Sequence, residues 1–525
     1  MRTLYLVICL SLFAADCFAA NNKMASGTVY CDTNRNNLRD KGEKGIPDVR
    51  ISNGKDIVST DKQGRYQITV DDETLIFIIK PKNWMTPVNE FQLPQFYYIH
   101  KPKGSPAKFE FPGSAPTGPL PASVDFPLYP VKEPTRFKVA VFGDTQISSE
   151  KGINSYAREL EELVGKLDVA FGISLGDNTG NWLLMFDVSN RITSTLGKPW
   201  YNVQGNHDLN LDAENEKYSN ETFERVYGPA YYAFDYGDVH FIVLDTVLTM
   251  RWKEDDKYLG YRGGLESDQI AFVRNDLAYL PKGKLVVLTM HIPLDYRAYD
   301  KENLKAFFNE ISDRENIIAL AGHNHILENS FLDANSLWPV FKPLHTMIVG
   351  AVCGSWWEGS LNEENIALGT MGCGAPNGYG IFQFDGNKYT MKYHAFDFPE
   401  DYQMRIWTPG KIFANQSAQT NIYVNFFAGS RKDTVEMKFG ERGQWTKMKW
   451  CPDVDPFIKE RNEIEKAAKG DTSVTIYDAN QYYFSQHIWS ALLPANPPAG
   501  IHVVYVRATD RYGQVFDGKR IIRVE

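Results

Sequence analysis

The chain has 525 residues, of which 43% are hydrophobic and 23% charged, and its formal net charge at pH 7 is −9. These fractions are typical of soluble globular proteins, and the length predicts two to four domains because it exceeds what one hydrophobic core supports. The acidic balance argues against non-specific binding to nucleic acid or to an anionic membrane surface.

Residues 1–20 are predicted to be a signal peptide. Arg2 precedes an apolar run over 4–15, and small residues follow it. The run is too short to span a bilayer, so a cleaved secretory signal is expected. Cys17 raises the alternative of lipidation, but Asp16 before it fits a lipoprotein cleavage site poorly. No later stretch is apolar enough for a transmembrane helix, so we expect a periplasmic, cell-surface or secreted protein.

Residues 21–90 are predicted to form a small β-sandwich, because strand-like runs alternate with turn-rich pieces, at 27–30, 49–52, 66–70 and 75–79. Between the first two runs, oxygen-bearing side chains occupy the spacing of a calcium loop: Asp32, Asn34, Asn36, Asp40 and Glu43. Asn37 replaces the usual glycine, and asparagine tolerates the left-handed backbone. With residues 45–47 the loop resembles the B-type repeats of bacterial surface adhesins. Calcium binding and an ion-free polar hairpin both remain open.

Residues 91–134 are predicted to be a connector. Ten prolines occur between residues 92 and 134, which argues against a long helix or a central strand. We expect a semi-rigid spacer, with an extended edge against a neighbouring domain as the alternative.

Residues 135–397 are predicted to form an α/β core. Five polar islands interrupt apolar runs there, at 143–146, 176–178, 205–208, 290–293 and 322–325. Four islands follow runs typical of buried strands, at 137–142, 169–175, 284–289 and 317–321. Helical spacing of apolar residues over 156–167 and 270–280 predicts helices between the strands, hence a layered α/β core. A hairpin at 380–384 and 388–394 is expected to close a sheet edge.

Residues 398–525 are predicted to form a β-rich, immunoglobulin-like domain. Strand-like runs lie at 422–427, 434–438, 502–508 and 519–524. The last two runs flank a turn, as in the final hairpin of such a sandwich. One short helix is expected over 456–468.

The five islands contain the side chains that bind divalent metal ions. They carry Asp, Asn and four of the ten histidines, and ligands bind at the carboxyl ends of strands in α/β sheets. Side-chain alternation would let His323 and His325 point to one side of an extended segment. We therefore expect a site for two ions separated by about 3.5–4 Å.

The order D-x-Q, GD, GNHD, H, GHxH over 135–395 resembles that of the calcineurin-like metallophosphoesterases. The flanking β modules and the segment 374–387 resemble an exported subgroup of that family. The resemblance implies an α/β (α+β) fold class, with a four-layer β-sandwich core, helices outside, and β-rich domains on either side. It further implies hydrolysis of a phosphate mono- or diester, by in-line attack of a hydroxide that bridges two ions of the Mn, Fe, Zn or Mg class.

The resemblance also assigns residues. Metal 1 would take Asp144, Gln146, Asp177 and His325, and metal 2 would take Asp177, Asn206, His291 and His323, with Asp177 bridging. His207 would protonate the leaving group or hydrogen-bond the phosphate, with Asp208 holding its other ring nitrogen; a loop cap is the alternative role for Asp208. Gln146 stands where the family commonly has histidine, and an amide oxygen binds borderline ions less firmly than imidazole does. Metal 1 would therefore be bound more weakly, prefer a harder ion or be partly ligated by water.

Substrate specificity is expected from the rim of the site. Asn178 is one candidate for substrate binding, and the others are aromatic or arginine residues: Tyr231, Tyr232, Arg251, Trp252, Tyr261, Arg262, Trp356 and Trp357. The substrate would be a small phosphate ester. No nucleic-acid partner is expected, because a nuclease would need a basic stripe. The competing hypothesis is a surface binding or scaffold protein with a weakly active or inactive core. Cys353 and Cys373 form either a disulfide or two buried thiols.

Overall fold

The structure is a computed structural model, and it describes residues 23–251, 258–295, 297–467 and 484–525. The predicted signal peptide over 1–20 lies outside these residues. Within them, no helix is long and apolar enough to cross a bilayer.

The N-terminal module is a sandwich of two four-stranded sheets. Its strands are β1 Lys23–Cys31, β2 Arg50–Ser52, β3 Ile57–Ser59, β4 Arg65–Val70, β5 Thr74–Ile79, β6 Trp84–Met85, β7 Tyr97–His100 and β8 Phe126–Pro130. One sheet has the order β4-β1-β8-β6 and the other β3-β2-β5-β7. The four strands predicted from alternation are β1, β2, β4 and β5. Side chains such as Ile51, Ile68 and Ile76 fill the space between the sheets.

The segment predicted as a spacer supplies two of these strands, so that prediction is wrong. β8 lies between β1 and β6, in the interior of its sheet, although it contains Pro127 and Pro130. β1 pairs only with Phe126–Leu128, and β6 pairs only with the last two residues of β8. Each neighbouring strand pairs with a different part of β8, so few backbone N–H groups of β8 are needed as hydrogen-bond donors. The two prolines, which have no N–H group, are therefore tolerated.

The core contains thirteen strands and five helices among the residues described. They are β9 Arg136–Phe142, α1 Glu150–Glu161, β10 Phe171–Ser174, α2 Met185–Ser194, β11 Trp200–Asn202, α3 Glu221–Tyr227, β12 Tyr232–Tyr236, β13 Val239–Val243, β14 Val247–Arg251, β15 Tyr258–Gly263, α4 Ser267–Leu277, β16 Leu285–Met290, α5 Lys301–Ile311, β17 Ile317–Ala321, β18 Leu327–Leu332, β19 Leu344–Val349, β20 Gly378–Asp385 and β21 Lys388–Ala395. Short 3-10 helices cover Glu216–Tyr218 and Ala334–Ser336.

Two sheets face each other in the core, with orders β11-β10-β9-β20-β21 and β12-β13-β16-β17-β19-β18. The parallel strands β9, β10 and β11 are joined by α1 and α2, and β13, β16 and β17 by α4 and α5. Right-handed crossovers place these helices on the outer faces. Aromatic rings fill the inner face, where Phe171 lies 5.5 Å from Phe234 and 5.3 Å from Phe241. The predicted layered fold is confirmed, as is the β20–β21 hairpin at a sheet edge.

The C-terminal module is a second sandwich. Its elements are β22 Met404–Trp407, a 3-10 helix Ala414–Gln419, β23 Asn421–Phe426, β24 Thr434–Phe439, β25 Thr446–Lys447, β26 Lys449–Trp450, α6 Pro456–Ala467, β27 Ile488–Leu492, β28 Gly500–Thr509 and β29 Val515–Val524. The sheets have the orders β22-β23-β27-β26 and β25-β24-β28-β29. Val424, Trp489 and Val504 belong to its own hydrophobic cluster. The final hairpin and the short helix agree with the sequence analysis.

A buried ion cluster fastens the N-terminal module to the core. Arg50 of β2 contacts Asp276 at 2.5 Å and Asp235 at 3.1 Å. The ring of His240 lies between the same two carboxylates, 2.8 Å from Asp235 and 2.7 Å from Asp276. The four side chains are at most 10% exposed, and Lys284 adds a contact of 2.6 Å to Asp235. Removing the charge of Arg50 would therefore leave two buried carboxylates with fewer cations than they need.

We predict that Arg50→Ala lowers the free energy of unfolding by about 3 to 5 kcal/mol, the cost of an uncompensated buried charge. Arg65→Ala is the matched control: the Arg65 side chain is 66% exposed in its pair with Asp61, so its loss should cost less than about 1 kcal/mol. Urea unfolding of both variants measures the difference. Equal, small losses would contradict a role for Arg50 in holding the two modules together.

Candidate metal centre

Five loops meet at one edge of the core, where the parallel strands of both sheets end. Residues 143–146, 176–178 and 205–208 follow β9, β10 and β11, while residues 290–293 and 322–325 lie at the ends of β16 and β17. Ligand sites of α/β proteins form at this edge. The five islands are thus brought together, including the one after β11, a strand that the sequence pattern did not reveal.

One half of the site joins Asp144, Gln146, Asp177 and His325. Gln146 Nε2 donates to Asp177 Oδ2 at 3.0 Å, and His325 Nε2 lies 3.5 Å from Asp144 Oδ1. The Asp144 carboxylate also accepts the backbone N–H of His323 at 3.0 Å. The residues assigned to metal 1 by resemblance are therefore neighbours in space.

The other half joins Asp177, Asn206, His291 and His323. His291 Nε2 lies 2.9 Å from Asn206 Oδ1, 3.2 Å from Asp177 Oδ1 and 3.2 Å from His323 Nδ1. One ligand atom each of Asp177, His291 and His323 lies within 4.8 Å of the others. Asp177 contacts both halves, which is the position that a bridging ligand requires.

Backbone strain is concentrated at these positions. Five of the seven predicted ligands have a positive φ: Asp144 (41°), Gln146 (40°), Asp177 (52°), His323 (74°) and His325 (50°). Left-handed backbone costs a non-glycine residue about 1–2 kcal/mol, and such strain clusters at functional sites. The extended backbone predicted for His323 and His325 is wrong. Both residues lie in a tight turn, and this turn sets the direction of their rings.

The donor set fits divalent cations. Asp144 and Asp177 are each 1% exposed, and within the described chain their only ion-pair contacts are with histidine rings. Burial is the main cause that raises the pKa of Asp144 to about 8, and the charge of Asp177 adds to it. Divalent ions would compensate both carboxylates. Carboxylate, imidazole and amide oxygen donors suit the Mn, Fe, Zn or Mg class.

Hydrogen bonds to carbonyl groups orient two of the imidazole rings. His291 Nδ1 lies 2.8 Å from the carbonyl oxygen of Leu175, and His325 Nδ1 lies 2.6 Å from that of Gly354. Each Nδ1–H donates to its carbonyl, which leaves Nε2 as the ligand atom. Burial lowers the pKa of His325 to about 4 and that of His323 to about 3. The rings of His323 and His325 are therefore neutral, as metal binding requires. The Asp177 carboxylate instead raises the pKa of His291 to about 9, against the effect of burial.

His207 lies beside the bridging carboxylate without being among the predicted ligands. Its Nε2 is 3.9 Å from Asp177 Oδ2, and its backbone N–H donates to Asp177 Oδ1 at 2.9 Å. Its Nδ1 lies 2.8 Å from the side-chain oxygen of Asn181. The sequence analysis missed Asn181; its place four residues after Asp177 was the only signal available.

Asp208 does not hold His207, so that prediction is wrong. Its carboxylate accepts the backbone N–H groups of Gly205, Asn178 and Thr179 at 2.9–3.1 Å, which makes it a buried loop cap. The substrate-binding role predicted for Asn178 is wrong as well. Asn178 is 2% exposed, and its amide donates to Asp208 and to the carbonyl oxygen of Val203. Both side chains fasten the second loop to the third.

Two aromatic rings border the metal ligands. Trp356 stacks on His325 with ring centres 4.2 Å apart, and it is 39% exposed. Tyr261 meets the ring of His323 edge-on at 5.8 Å. These two residues form the aromatic rim of the site, and a substrate contact for Trp356 stays a prediction.

Other residues predicted at the rim have different positions. Trp357 is 3% exposed and donates to the carbonyl oxygen of Thr145, so it supports the first loop from behind. Arg262 is exposed on β15 directly after Tyr261, and side-chain alternation points it to the opposite face. Substrate binding by Trp357 is therefore wrong, whereas substrate binding by Arg262 stays a prediction.

Two of the remaining rim candidates have structural hydrogen-bond partners. Tyr231 and Tyr232 donate to the carbonyl oxygens of Gly54 and Asn202, in the packed interior. The side chain of Arg251 and all of Trp252 lie outside the described residues.

The loop predicted to bind calcium is closed by its own hydrogen bonds. Asp32 is fully buried and accepts the N–H groups of Asn36 and Asn37, at 3.3 Å and 2.8 Å. Asn37 has a φ of 61°, the left-handed backbone expected of it. The amides of Asn34 and Asn36 donate to Asp40, and Glu43 accepts the N–H of Asp40. Calcium binding there stays a prediction.

The cysteines next to the site are free thiols. Cys353 and Cys373 are both buried and are not joined, which decides between the two alternatives. Cys353 Sγ lies 3.6 Å from Gln146 Oε1 and 3.6 Å from His325 Nδ1. The thiol therefore contacts two predicted ligands of metal 1 from the protein side.

Three family models match the chain in succession. "N terminal of Calcineurin-like phosphoesterase" matches residues 32–115, "Calcineurin-like phosphoesterase" matches 137–327, and "C terminal of Calcineurin-like phosphoesterase" matches 347–516. No curated protein matches the chain significantly.

Among solved structures, the chain is similar to purple acid phosphatase PPD1 from yellow lupin (Lupinus luteus) seeds, at 12% identity and a TM-score of 0.35, over 66% of this chain and 67% of that one. It is also similar to a 5'-nucleotidase from Candida albicans SC5314, at 14% identity and a TM-score of 0.28, over 50% of this chain and 52% of that one. TM-scores this low add no support for a shared activity.

We predict that Gln146→His raises the affinity for Mn²⁺ at one of two sites by about tenfold, because imidazole is the stronger donor to borderline ions. Gln146→Leu, which has no donor atom, should lower it. Isothermal titration of metal-free protein measures both affinity and stoichiometry. The same two constants in all three proteins would show that Gln146 is not a ligand.

Proposed function

Because this chain belongs to the calcineurin-like phosphoesterase family and is a metal-dependent phosphate ester hydrolase, we propose that it cleaves a phosphate mono- or diester by direct in-line attack of water on phosphorus. The observation that carries this proposal is the convergence of seven donor side chains from five loops around Asp177. A scaffold protein would have no need to keep this strained cluster of buried carboxylates and imidazoles intact.

The site would hold two ions, one by Asp144, Gln146, Asp177 and His325 and the other by Asp177, Asn206, His291 and His323. When bound, they lower the pKa of a water molecule and neutralise charge on the phosphoryl oxygens. The chain itself fixes the donors. The carbonyl groups of Leu175 and Gly354 set the ring orientations, and Trp356 covers His325 on its solvent side.

His207 is our candidate for moving the proton that the leaving group needs. Asn181 accepts the Nδ1–H of the ring, so Nε2 is the atom that faces the site. In the protonated ring, Nε2–H donates to the oxygen that leaves phosphorus. The neutral amide of Asn181 fixes the ring without adding a charge. We assign His207 as the general acid and Asn181 as its positioning residue.

Trp356 and Tyr261 support a substrate whose alcohol has a ring or another extended apolar face. Both rings contact metal ligands, so a phosphate at the centre would place its alcohol beside them. Stacking on such rings contributes about 0.5–1.5 kcal/mol. Sugar and nucleoside phosphates have this shape.

The experiment is a panel of mono- and diesters with purified, Mn²⁺-loaded protein, repeated with His207→Ala. The variant should lower kcat about 100-fold for alkyl and sugar phosphates, whose leaving groups need a proton. It should lower kcat much less for p-nitrophenyl phosphate, whose leaving group does not.

His502→Ala, in the C-terminal module, is the matched control and should leave kcat unchanged. Metal content should be equal in all three proteins. Equal losses on every ester would exclude proton transfer by His207. No turnover of any ester by metal-loaded protein would contradict hydrolysis and favour a binding protein.

We also propose that the chain is exported, on the support of Arg2 and the apolar run over 4–15. Fractionation of producing cells followed by N-terminal sequencing tests this proposal. The expected result is extracytoplasmic protein that begins close after residue 20. Cytoplasmic protein that retains Met1 would contradict export.

A further inference from the structure

The end of the core opposite the metal centre carries a concentration of positive charge. A groove of about 560 Å³ is lined there by five cationic side chains, Arg136, Lys342, Lys388, Lys432 and Arg511, which we call the basic groove. Its floor includes Leu285 and Ile317, the first residues of β16 and β17, whereas the metal loops follow the last residues of the same strands. Its volume is within the range of small-molecule sites.

Two of the cations share one aromatic ring. Lys432 Nζ lies 3.5 Å from the ring centre of Phe331, and the guanidinium carbon of Arg511 lies 4.8 Å from it. Both distances are measured to the same ring centre, and burial and the charge of Arg511 lower the pKa of Lys432, so the two cations are neighbours that a phosphate-bearing ligand could contact together. Guanidinium and ammonium groups paired in this way recognise phosphate oxygens.

The positive charge of the groove is poorly compensated. Asp385 is the one carboxylate in its lining, and it is paired with Arg136 at 2.6 Å. Among the described residues, Lys388, Lys432 and Arg511 form no ion pair. The carboxylates of Asp433 and Asp510, next to them in sequence, accept backbone N–H groups of Ser430 and Tyr512 instead.

Burial and the positive charge of the groove lower the pKa of two titratable groups, Lys432 and His345. Partial burial, followed by the charges of Arg511 and Arg431, lowers the pKa of Lys432. Burial, followed by Arg511 and Lys432, lowers the pKa of His345 well below its usual value. The charges that perturb both groups are cations, in a chain whose net charge is −9. A bound anion would relieve this repulsion.

The floor of the groove is held in place before any ligand binds. His345 stacks between Phe331, at 5.0 Å, and Tyr389, at 5.8 Å. Its two ring nitrogens lie 2.6 Å from the Tyr389 hydroxyl and 2.5 Å from Asn329 Oδ1. The stack joins both core sheets, so the Phe331 ring under the two cations is fixed. A preformed site loses less entropy on binding.

We propose that the basic groove binds a phosphate-bearing anion, independently of the metal centre. The ligand is either a soluble phosphorylated molecule or the headgroup of an anionic phospholipid, since both present the same phosphate chemistry. The contacts of Lys432 and Arg511 with Phe331 also join the C-terminal module to the core. That structural role accounts for neither Lys388 nor Lys342, which also line the groove.

The test compares metal-loaded wild-type protein with Lys432→Gln/Arg511→Gln, which removes both charges and keeps most of each side chain over Phe331. Methylenebisphosphonate, whose P–C–P bond resists hydrolysis, is the soluble probe, and binding is followed by isothermal titration. Vesicles of phosphatidylglycerol, against phosphatidylcholine, are the lipid probe in a sedimentation assay. Wild type and variants have the same metal centre, so probe binding there is the same in each protein. Binding to the basic groove is therefore measured as the difference in binding between wild type and the double glutamine variant.

Two double variants serve as controls, and one single variant is a second test. Lys62→Ala/Arg442→Ala removes one exposed lysine and one exposed arginine elsewhere and should bind like wild type. Lys432→Arg/Arg511→Lys conserves the charge and should also bind. Lys388→Gln, at the rim, should weaken binding even if the double glutamine variant folds poorly. Melting temperature and hydrolysis of p-nitrophenyl phosphate should match the wild type in each protein used.

We expect the double glutamine variant to lose at least tenfold in affinity for one of the two probes. Loss with the bisphosphonate identifies a soluble ligand, and loss with phosphatidylglycerol vesicles identifies a lipid headgroup. Equal binding of both probes by wild type, Lys388→Gln and the double glutamine variant would overturn the proposal. That outcome would leave hydrolysis at the metal centre unaffected.

Discussion

The structure depends on two carboxylates that are held out of water at the meeting edge of two sheets. Asp144 and Asp177 are buried side by side, and imidazole rings, an amide and backbone N–H groups are their neighbours. Moving even one such charge from water into protein costs several kcal/mol, which neutral hydrogen bonds repay only partly. The arrangement is therefore favourable when cations complete it, and the metal dependence of the family follows from this constraint.

The rest of the core holds these groups in place. Each ligand loop follows a strand, and the two sheets are locked by ring contacts such as those of Phe171 with Phe234 and Phe241. This packing outweighs the cost of five left-handed residues at the site, which amounts to several kcal/mol. The N-terminal module extends the same hydrophobic cluster and adds the buried Arg50 contacts. A rigid scaffold keeps the donors aligned before ions bind.

The sequence predicted what depends on local pattern. Apolar runs followed by polar islands located four of the five ligand strands, and the motif order identified all seven converging side chains. Contacts between loops were not predictable, because spacing along the chain does not say which neighbour a side chain meets. Asp208 adjoins His207 in sequence, yet it caps backbone N–H groups, and Asn181 from another loop takes its place. The proline content of residues 91–134 led to the wrong prediction of a spacer for a related reason. The pairing of β8 with its neighbours requires few backbone N–H donors, and the sequence does not show this.

The C-terminal module supports a segment that borders the metal centre. Its family model begins at residue 347, before the segment that carries Gly354 and Trp356. Asn425 of β23 donates to the carbonyl oxygen of Cys373 at 3.0 Å, and Arg405 of β22 donates to that of Gly374, at the end of this segment. The segment in turn orients His325 through the Gly354 carbonyl and covers it with Trp356. The module therefore acts on the metal centre through backbone contacts, which explains why a β-sandwich without predicted ligands of its own belongs to the catalytic unit.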